Sequence, residues 1–269
     1  MKTTHILISL ILLLGCLSCS EDDPQPEPLT KAYITGQVKL FDNFTSPLDN
    51  ADMTVRIDGQ DIAAKTDAEG KFTLPDLPFG TYNLVYEKPG YGTYKIFGLI
   101  HSPYNNSGSG TIIDNPGSGT FIEGTLNLGQ ISPTRVTGLS VEVTATDVVL
   151  TVTTDPPGSV GNEKYIRYFY GSTQYFGEDF VIGSEGQINF FYSEIIAIQS
   201  NPQVITIPLD EFGYTYWGEL FLFTPGEKVF IRAFGDSYWD NHYFDPYLGY
   251  TVRPNLNPSA ADQVSLIIP

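Results

Sequence analysis

Cysteine is almost missing from this chain of 269 residues: Cys16 and Cys19 are its only two. Nothing after Cys19 carries a thiol, which excludes disulfide staples, thiol nucleophiles and cysteine-held metals from the rest of the chain. Histidine is nearly as scarce. His5, His101 and His242 complete the set, and neither His101 nor His242 sits in a His-x-x-Glu zinc motif. No metal and no cofactor is therefore expected. Basic residues are also few, with 14 Lys and Arg against 31 Asp and Glu, for a net charge of −17. Nucleic acid and anionic membrane surfaces are recognised by Lys and Arg clusters, so neither is an expected partner. The acidity fits a neutral glycan, a cationic partner or, most simply, solubility. Charged residues make up 17% of the chain, below the ~25% of an average soluble protein. The apolar run from Ile6 to Leu14, broken only by Ser9, is about half of the ~20 residues that a membrane-crossing helix needs.

That run has Lys2 before it and small residues behind it, the pattern of a signal peptide over residues 1–18. Two cysteines compete to be the modified residue. Leu13-Leu14-Gly15-Cys16 fits a lipobox better, whereas Cys19 keeps Ser18 just before it and is followed by Ser20-Glu21-Asp22-Asp23. The acidic tail resembles the surface-export signal of Bacteroidetes lipoproteins, and Cys19 is the expected lipidation site. The resemblance implies an acyl anchor in outer-membrane lipid and exposure at the cell surface. Residues 19–31 read as an acidic, Pro-rich tether that holds the folded part off the membrane.

What is abundant beyond the tether is turn formers and aromatics: 26 Gly, 19 Pro, 17 Tyr and 17 Phe. Spaced among β-branched residues, these predict an all-β chain. Two tandem β-sandwich domains are expected, over residues 32–129 and 131–269, folding independently with a break at Ser132-Pro133. In the first, Met53, Val55 and Ile57 share one face of a strand, and so do Tyr82, Leu84 and Tyr86. Thr66-Asp67-Ala68-Glu69-Gly70-Lys71-Phe72 predicts a tight turn rather than a calcium loop, because the further oxygen ligands are missing.

The order Gly36-x-Val38, Pro47-Leu48-x-x-Ala51-x-x-x-Val55, Thr66-Asp67-x-x-Gly70-x-Phe72-x-Leu74, Leu77-x-x-Gly80-x-Tyr82-x-Leu84 and Gly90-Tyr91 resembles the carboxypeptidase regulatory-like, or transthyretin-like, domain. The resemblance covers about 100 residues and implies a seven-stranded sandwich with a structural or interaction role, since no zinc-peptidase module accompanies it. His101 to Gly119 departs from the pattern as a long Gly/Ser/Asn-rich loop, read as a plain insertion or, through Tyr104, a contact surface.

In the second domain, runs at Val136–Val143, Val148–Thr153, Tyr165–Tyr170, Val229–Phe234 and Val264–Ile268 predict strands. Their order resembles a fibronectin type III or immunoglobulin-like domain, with Thr224-Pro225-Gly226 and Ile231-Arg232-Ala233 as the best local match. Val229 stands where the usual tyrosine would sit, and the second strand has no Trp. Gly186 to Ser200 reads equally as short helix or strand.

The densest chemistry lies in Asp236-Ser237-Tyr238-Trp239-Asp240-Asn241-His242-Tyr243-Phe244-Asp245-Pro246-Tyr247. Aromatic faces beside amides suit a carbohydrate platform, in which rings stack on sugar C–H faces and carboxamides read hydroxyls. The expected contact residues are Tyr238, Trp239, Asn241, Tyr243 and Tyr247, with Trp239 as main anchor and Trp217 as a core alternative. The simpler reading is a loop whose rings fold back on the core. Asp236, Asp240 and Asp245 invite a glycosidase reading, but three Asp in one loop do not make a carboxylate pair across a cleft, and no catalytic residue is assigned. The sequence thus points to a non-enzymatic surface lipoprotein acting as a binding or accessory module, with glycan and outer-membrane transport or surface-complex proteins as candidate partners. The alternatives are a structural or adhesive spacer, or a hydrolase of unknown type.

Overall fold

The computed structural model describes residues 30–102, 111–112, 120–172, 187–188, 191–192, 195–216, 219–259 and 261–269. The leader, Cys19, residues 20–29 of the tether, Tyr104 and Trp217 lie outside the described residues, whereas Lys31, at the tether's expected end, already belongs to the first strand. No helix occurs among the described residues, and the chain is all-β, with two sandwiches in tandem.

The first sandwich comprises β1 (Lys31–Phe41), β2 (Thr54–Ile57), β3 (Ala63–Lys65), β4 (Lys71–Pro78), β5 (Gly80–Glu87), β6 (Tyr94–His101), β7 (Thr111–Ile112) and β8 (Thr120–Gly129). One sheet runs β4-β1-β8-β7 and the other β3-β2-β5-β6. The first and last long strands, β1 and β8, pair in parallel, while their other neighbours are antiparallel. The predicted period-two faces meet between the sheets: Ile34, Val38 and Leu40 from β1 pack with Met53, Val55, Ile57, Leu84 and Tyr86. Each fully buried aliphatic side chain contributes about 1.5–3 kcal/mol relative to exposure. The turn before β4 has the expected form, for Asp67 Oδ1 accepts from Lys71 N at 2.8 Å and Asp67 O accepts from Gly70 N at 2.9 Å.

The second sandwich starts with β9 (Arg135–Val143), β10 (Asp147–Asp155), β11 (Lys164–Ser172), β12 (Gln187–Ile188), β13 (Phe191–Tyr192), β14 (Ile196–Ile198) and β15 (Gln203–Pro208). It continues with β16 (Gly213–Tyr216), β17 (Glu219–Leu222), β18 (Lys228–Asp236), β19 (Tyr243–Asp245), β20 (Tyr250–Val252) and β21 (Val264–Ile267). The main sheets are β15-β10-β9 and β13-β11-β18-β21, with β14 also on β11. Val148, Leu150 and Val152 of β10 face Ile166, Ile231 and Ala233 across a second core. Val229, in place of the expected tyrosine, is fully buried there. The ambiguous 186–200 stretch is strand wherever it is described as regular structure.

The segment joining the sandwiches is not a free linker. Gln130 N donates to Phe41 O, Ile131 N to Gly90 O and Ser132 N to Asn255 O, and Ser132 and Thr134 are buried. A small sheet, β12-β20-β19, stands beside the main sheets of the second sandwich, and its strand β19 lies against β6 of the first.

Candidate functional site

The loop after β18 is fixed from behind by charge. Arg167, buried on β11, donates from Nε to Asp236 Oδ2 at 2.8 Å, and its Nη2 lies 3.0 Å from Asp240 Oδ1. Arg253, also buried, pairs with the same Asp240 oxygen. Burial pushes the Asp236 carboxyl above the ordinary aspartate range, and the Arg167 guanidinium opposes that rise. Breaking such a pair from one side costs about 3–5 kcal/mol, because a buried charge is left without compensation. Asp245 is buried as well: its Oδ1 accepts from Tyr247 N at 2.9 Å and Leu248 N at 3.2 Å, which shapes the β19–β20 turn. The three aspartates singled out in the sequence are thus engaged with arginines or turn amides. Among the described residues no group of three or more His, Cys, Asp or Glu is placed to hold a metal.

In front, the loop presses on the first sandwich. The Trp239 ring stacks on Phe41 at 4.2 Å between centroids. Asn241 is buried: its Oδ1 accepts from Gly129 N at 2.9 Å and its Nδ2 donates to Asn127 O at 2.7 Å. The amide thereby satisfies backbone groups at the end of β8 that would otherwise lack partners. Of the five expected contact residues, Asn241 is therefore engaged wholly inside the molecule and Trp239 in part. Phe41 covers one face of the half-buried Trp239 ring, and both polar ends of the Asn241 carboxamide are engaged. The reason is the adjacent sandwich, whose β1 and β8 ends lie where the platform reading placed solvent.

The other three lie on two sides of this seam. Tyr238 is exposed and meets Tyr165 edge-on at 5.7 Å, and Tyr165 in turn meets Phe44 at 5.6 Å. Tyr243 and Tyr247 belong to a different face. Tyr243 packs against Tyr94 at 5.4 Å and Phe97 at 6.0 Å, and Phe97 meets Tyr247 at 5.8 Å. Tyr247 is 79% exposed, and its neighbours Phe244 and Leu248 are exposed too.

Phe97 owes its position to a β-bulge. The β5–β6 register shifts between Tyr82 and Leu84, so that Phe97 and Gly98 together oppose Asn83. Gly98 has φ +68°, a left-handed conformation that glycine adopts without a Cβ penalty. The Asn83 side chain mends the interrupted ladder: its Oδ1 accepts from Gly98 N at 3.0 Å. Its Nδ2 reaches across to the Tyr247 hydroxyl at 3.4 Å. Lys95 Nζ stands 5.9 Å from the Phe97 ring centre. Two sandwiches thus build one surface of rings edged by an amide, a hydroxyl and an ammonium. Sequence reasoning missed Asn83, Lys95 and Phe97; the available signal was Gly98 interrupting an apolar strand, which marks a bulge.

The profile of the Carboxypeptidase regulatory-like domain family matches residues 33–100, within the first sandwich. No curated protein matches the chain. Among solved structures, a cohesin–X-dockerin complex from Acetivibrio cellulolyticus is similar at 18% identity and a TM-score of 0.27, over 38% of this chain and 59% of that one. The chain thus spans less than two thirds of that relative. A protein from Bacteroides uniformis described as a candidate carbohydrate-binding protein is similar at 15% identity and a TM-score of 0.26, over 89% of this chain and 100% of that one. A DUF3823 family protein from Parabacteroides merdae is similar at 9% identity and a TM-score of 0.24, over 87% and 99% of the two chains.

Proposed function

We propose that this chain is a non-enzymatic, lipid-anchored protein of the outer-membrane surface that binds a neutral glycan on the Phe97–Tyr243–Tyr247 face. The observation that carries the reading is Tyr247, an exposed ring whose hydroxyl is held by Asn83 and whose edge meets Phe97. A preset ring loses little freedom on stacking against a sugar. Enzymatic readings have less support, because Asp236, Asp240 and Asp245 are tied to Arg167, Arg253 and backbone amides. Anchoring at Cys19 rests on the apolar leader and the acidic residues behind it. Proteins of an outer-membrane transport or surface complex are the partners that such a location would bring within reach.

The test is affinity electrophoresis of the purified protein through gels containing, in turn, soluble xylan, mannan, glucan and arabinogalactan. Retardation by at least one polysaccharide is expected, with Tyr247→Ala and Phe97→Ala each weakening it by about 1–3 kcal/mol at little cost to stability. No retardation by any polymer would favour a structural spacer instead, and retardation untouched by both substitutions would place the binding on another face. For the anchor, mass spectrometry of the mature N-terminus should find acylated Cys19, and an unmodified N-terminus would remove it.

A further inference from the structure

The segment 236–257 has little regular structure of its own, since β19 and β20 have three residues each. Its order comes from both sides. Behind it stand Arg167 and Arg253 with their aspartates; in front stands the first sandwich. Tyr238 N donates to Asn43 O at 2.9 Å, and Asn255 O accepts from Ser132 N at 3.0 Å. Asn241 closes on Gly129 and Asn127, and Trp239 on Phe41. The fit is close enough to exclude a methyl group: a Cβ on Gly92 would lie 1.8 Å from Pro254 O. Asn241, Gly129, Ser132 and Asn255 on this surface are buried, and separation would require their polar groups to be rehydrated or left without a partner.

We infer that the first sandwich is the template for segment 236–257, which holds its conformation only while seated against the Phe41 and Gly129 ends of β1 and β8. The inference stands whether or not the aromatic face binds glycan. It assigns the carboxypeptidase regulatory-like part of the chain a task within the molecule. That part fixes a loop of its neighbour, and with the loop the position of Tyr243 and Tyr247 relative to Phe97.

Hydrogen exchange read by mass spectrometry on the full chain tests this from the first-sandwich side alone. Phe41→Ala removes the ring under Trp239 and changes nothing within 236–257. Amides of 236–257 should then exchange roughly tenfold faster or more, as loss of the seam's support implies, and tryptophan emission should shift to the red. Amides of Val148–Val152 in the far sheet should keep their protection. If Phe41→Ala does not fold, Phe41→Leu keeps apolar volume but lacks the ring face and carries the same expectation in smaller measure. Unchanged protection across 236–257 in the folded variant would overturn the inference. So would an equal loss of protection in Val148–Val152, which would mean general destabilisation instead.

Discussion

At the scale of single residues, the most informative group outside the seam is His101. It is fully buried at the end of β6, with Nε2 3.1 Å from Leu77 O and Nδ1 2.7 Å from the Thr120 hydroxyl. A carbonyl can only accept, so Nε2 carries the proton and Nδ1 accepts from Thr120. Burial disfavours the charged ring and lowers its pKa from the ordinary 6.5. The unfolded chain therefore takes up a proton before the folded one does. Stability from this residue is fully present above a pH of about 6.5 and declines as pH falls below that value toward the folded pKa. Denaturation of the parent and of His101→Gln across this range should show a difference that shrinks as the pH drops. A constant difference would mean that His101 titrates alike in both states. The sequence made His101 conspicuous as an isolated histidine outside any zinc motif and as the start of a long loop, whereas it closes β6. Its partners, 24 and 19 residues away in the chain, come together through sheet pairing that composition does not reveal. A far longer separation hid the fate of Trp239 and Asn241, whose partners Phe41 and Gly129 belong to the other sandwich.

At the scale of elements, alternation was legible wherever one face is buried. β10, with Val148, Leu150 and Val152 all inward, could be read directly. β6 could not, because a bulge shifts its register midway and turns Phe97 toward Tyr247. Period-two reasoning has no signal for an inserted residue beyond the glycine that permits it. Gly98 supplies a clean test of that conformation. A Cβ placed there meets nothing within 4 Å, so Gly98→Ala adds no clash, and its effect is the backbone penalty alone. The expected loss is about 1–2 kcal/mol, the cost of a left-handed conformation with a side chain. Gly98→Asn should lose less, since Asn tolerates that region better. Chemical denaturation of the three proteins measures both values. Equal stability of the Ala and Gly forms would mean that the bulge is free to relax to another register.

At the scale of the whole molecule, the described strands from Lys31 to Pro269 form one compact unit. That unit carries most of a charge imbalance of −17. Like charges gathered on a folded surface repel one another more than they do along an extended chain, so the imbalance works against folding. Several of the opposing pairs, such as Lys31–Asp76, Lys65–Asp52 and Arg135–Asp155, lie at the surface, where each adds little. The pair between Arg167 and Asp236 is buried and is screened far less. Added salt therefore relieves more repulsion than it removes attraction. Raising monovalent salt from about 10 mM to about 1 M shortens the screening length from ~30 Å to ~3 Å. The melting temperature should rise by several degrees over that interval, with most of the gain at the low-salt end, where the screening length is still comparable to the molecule. Sodium chloride is the proper probe, because sulfate would strengthen apolar burial and raise the melting temperature for a different reason. A melting temperature that falls steadily with sodium chloride would show that the surface pairs outweigh the net repulsion, and that the acidity is arranged in compensating networks rather than spread as an unbalanced field.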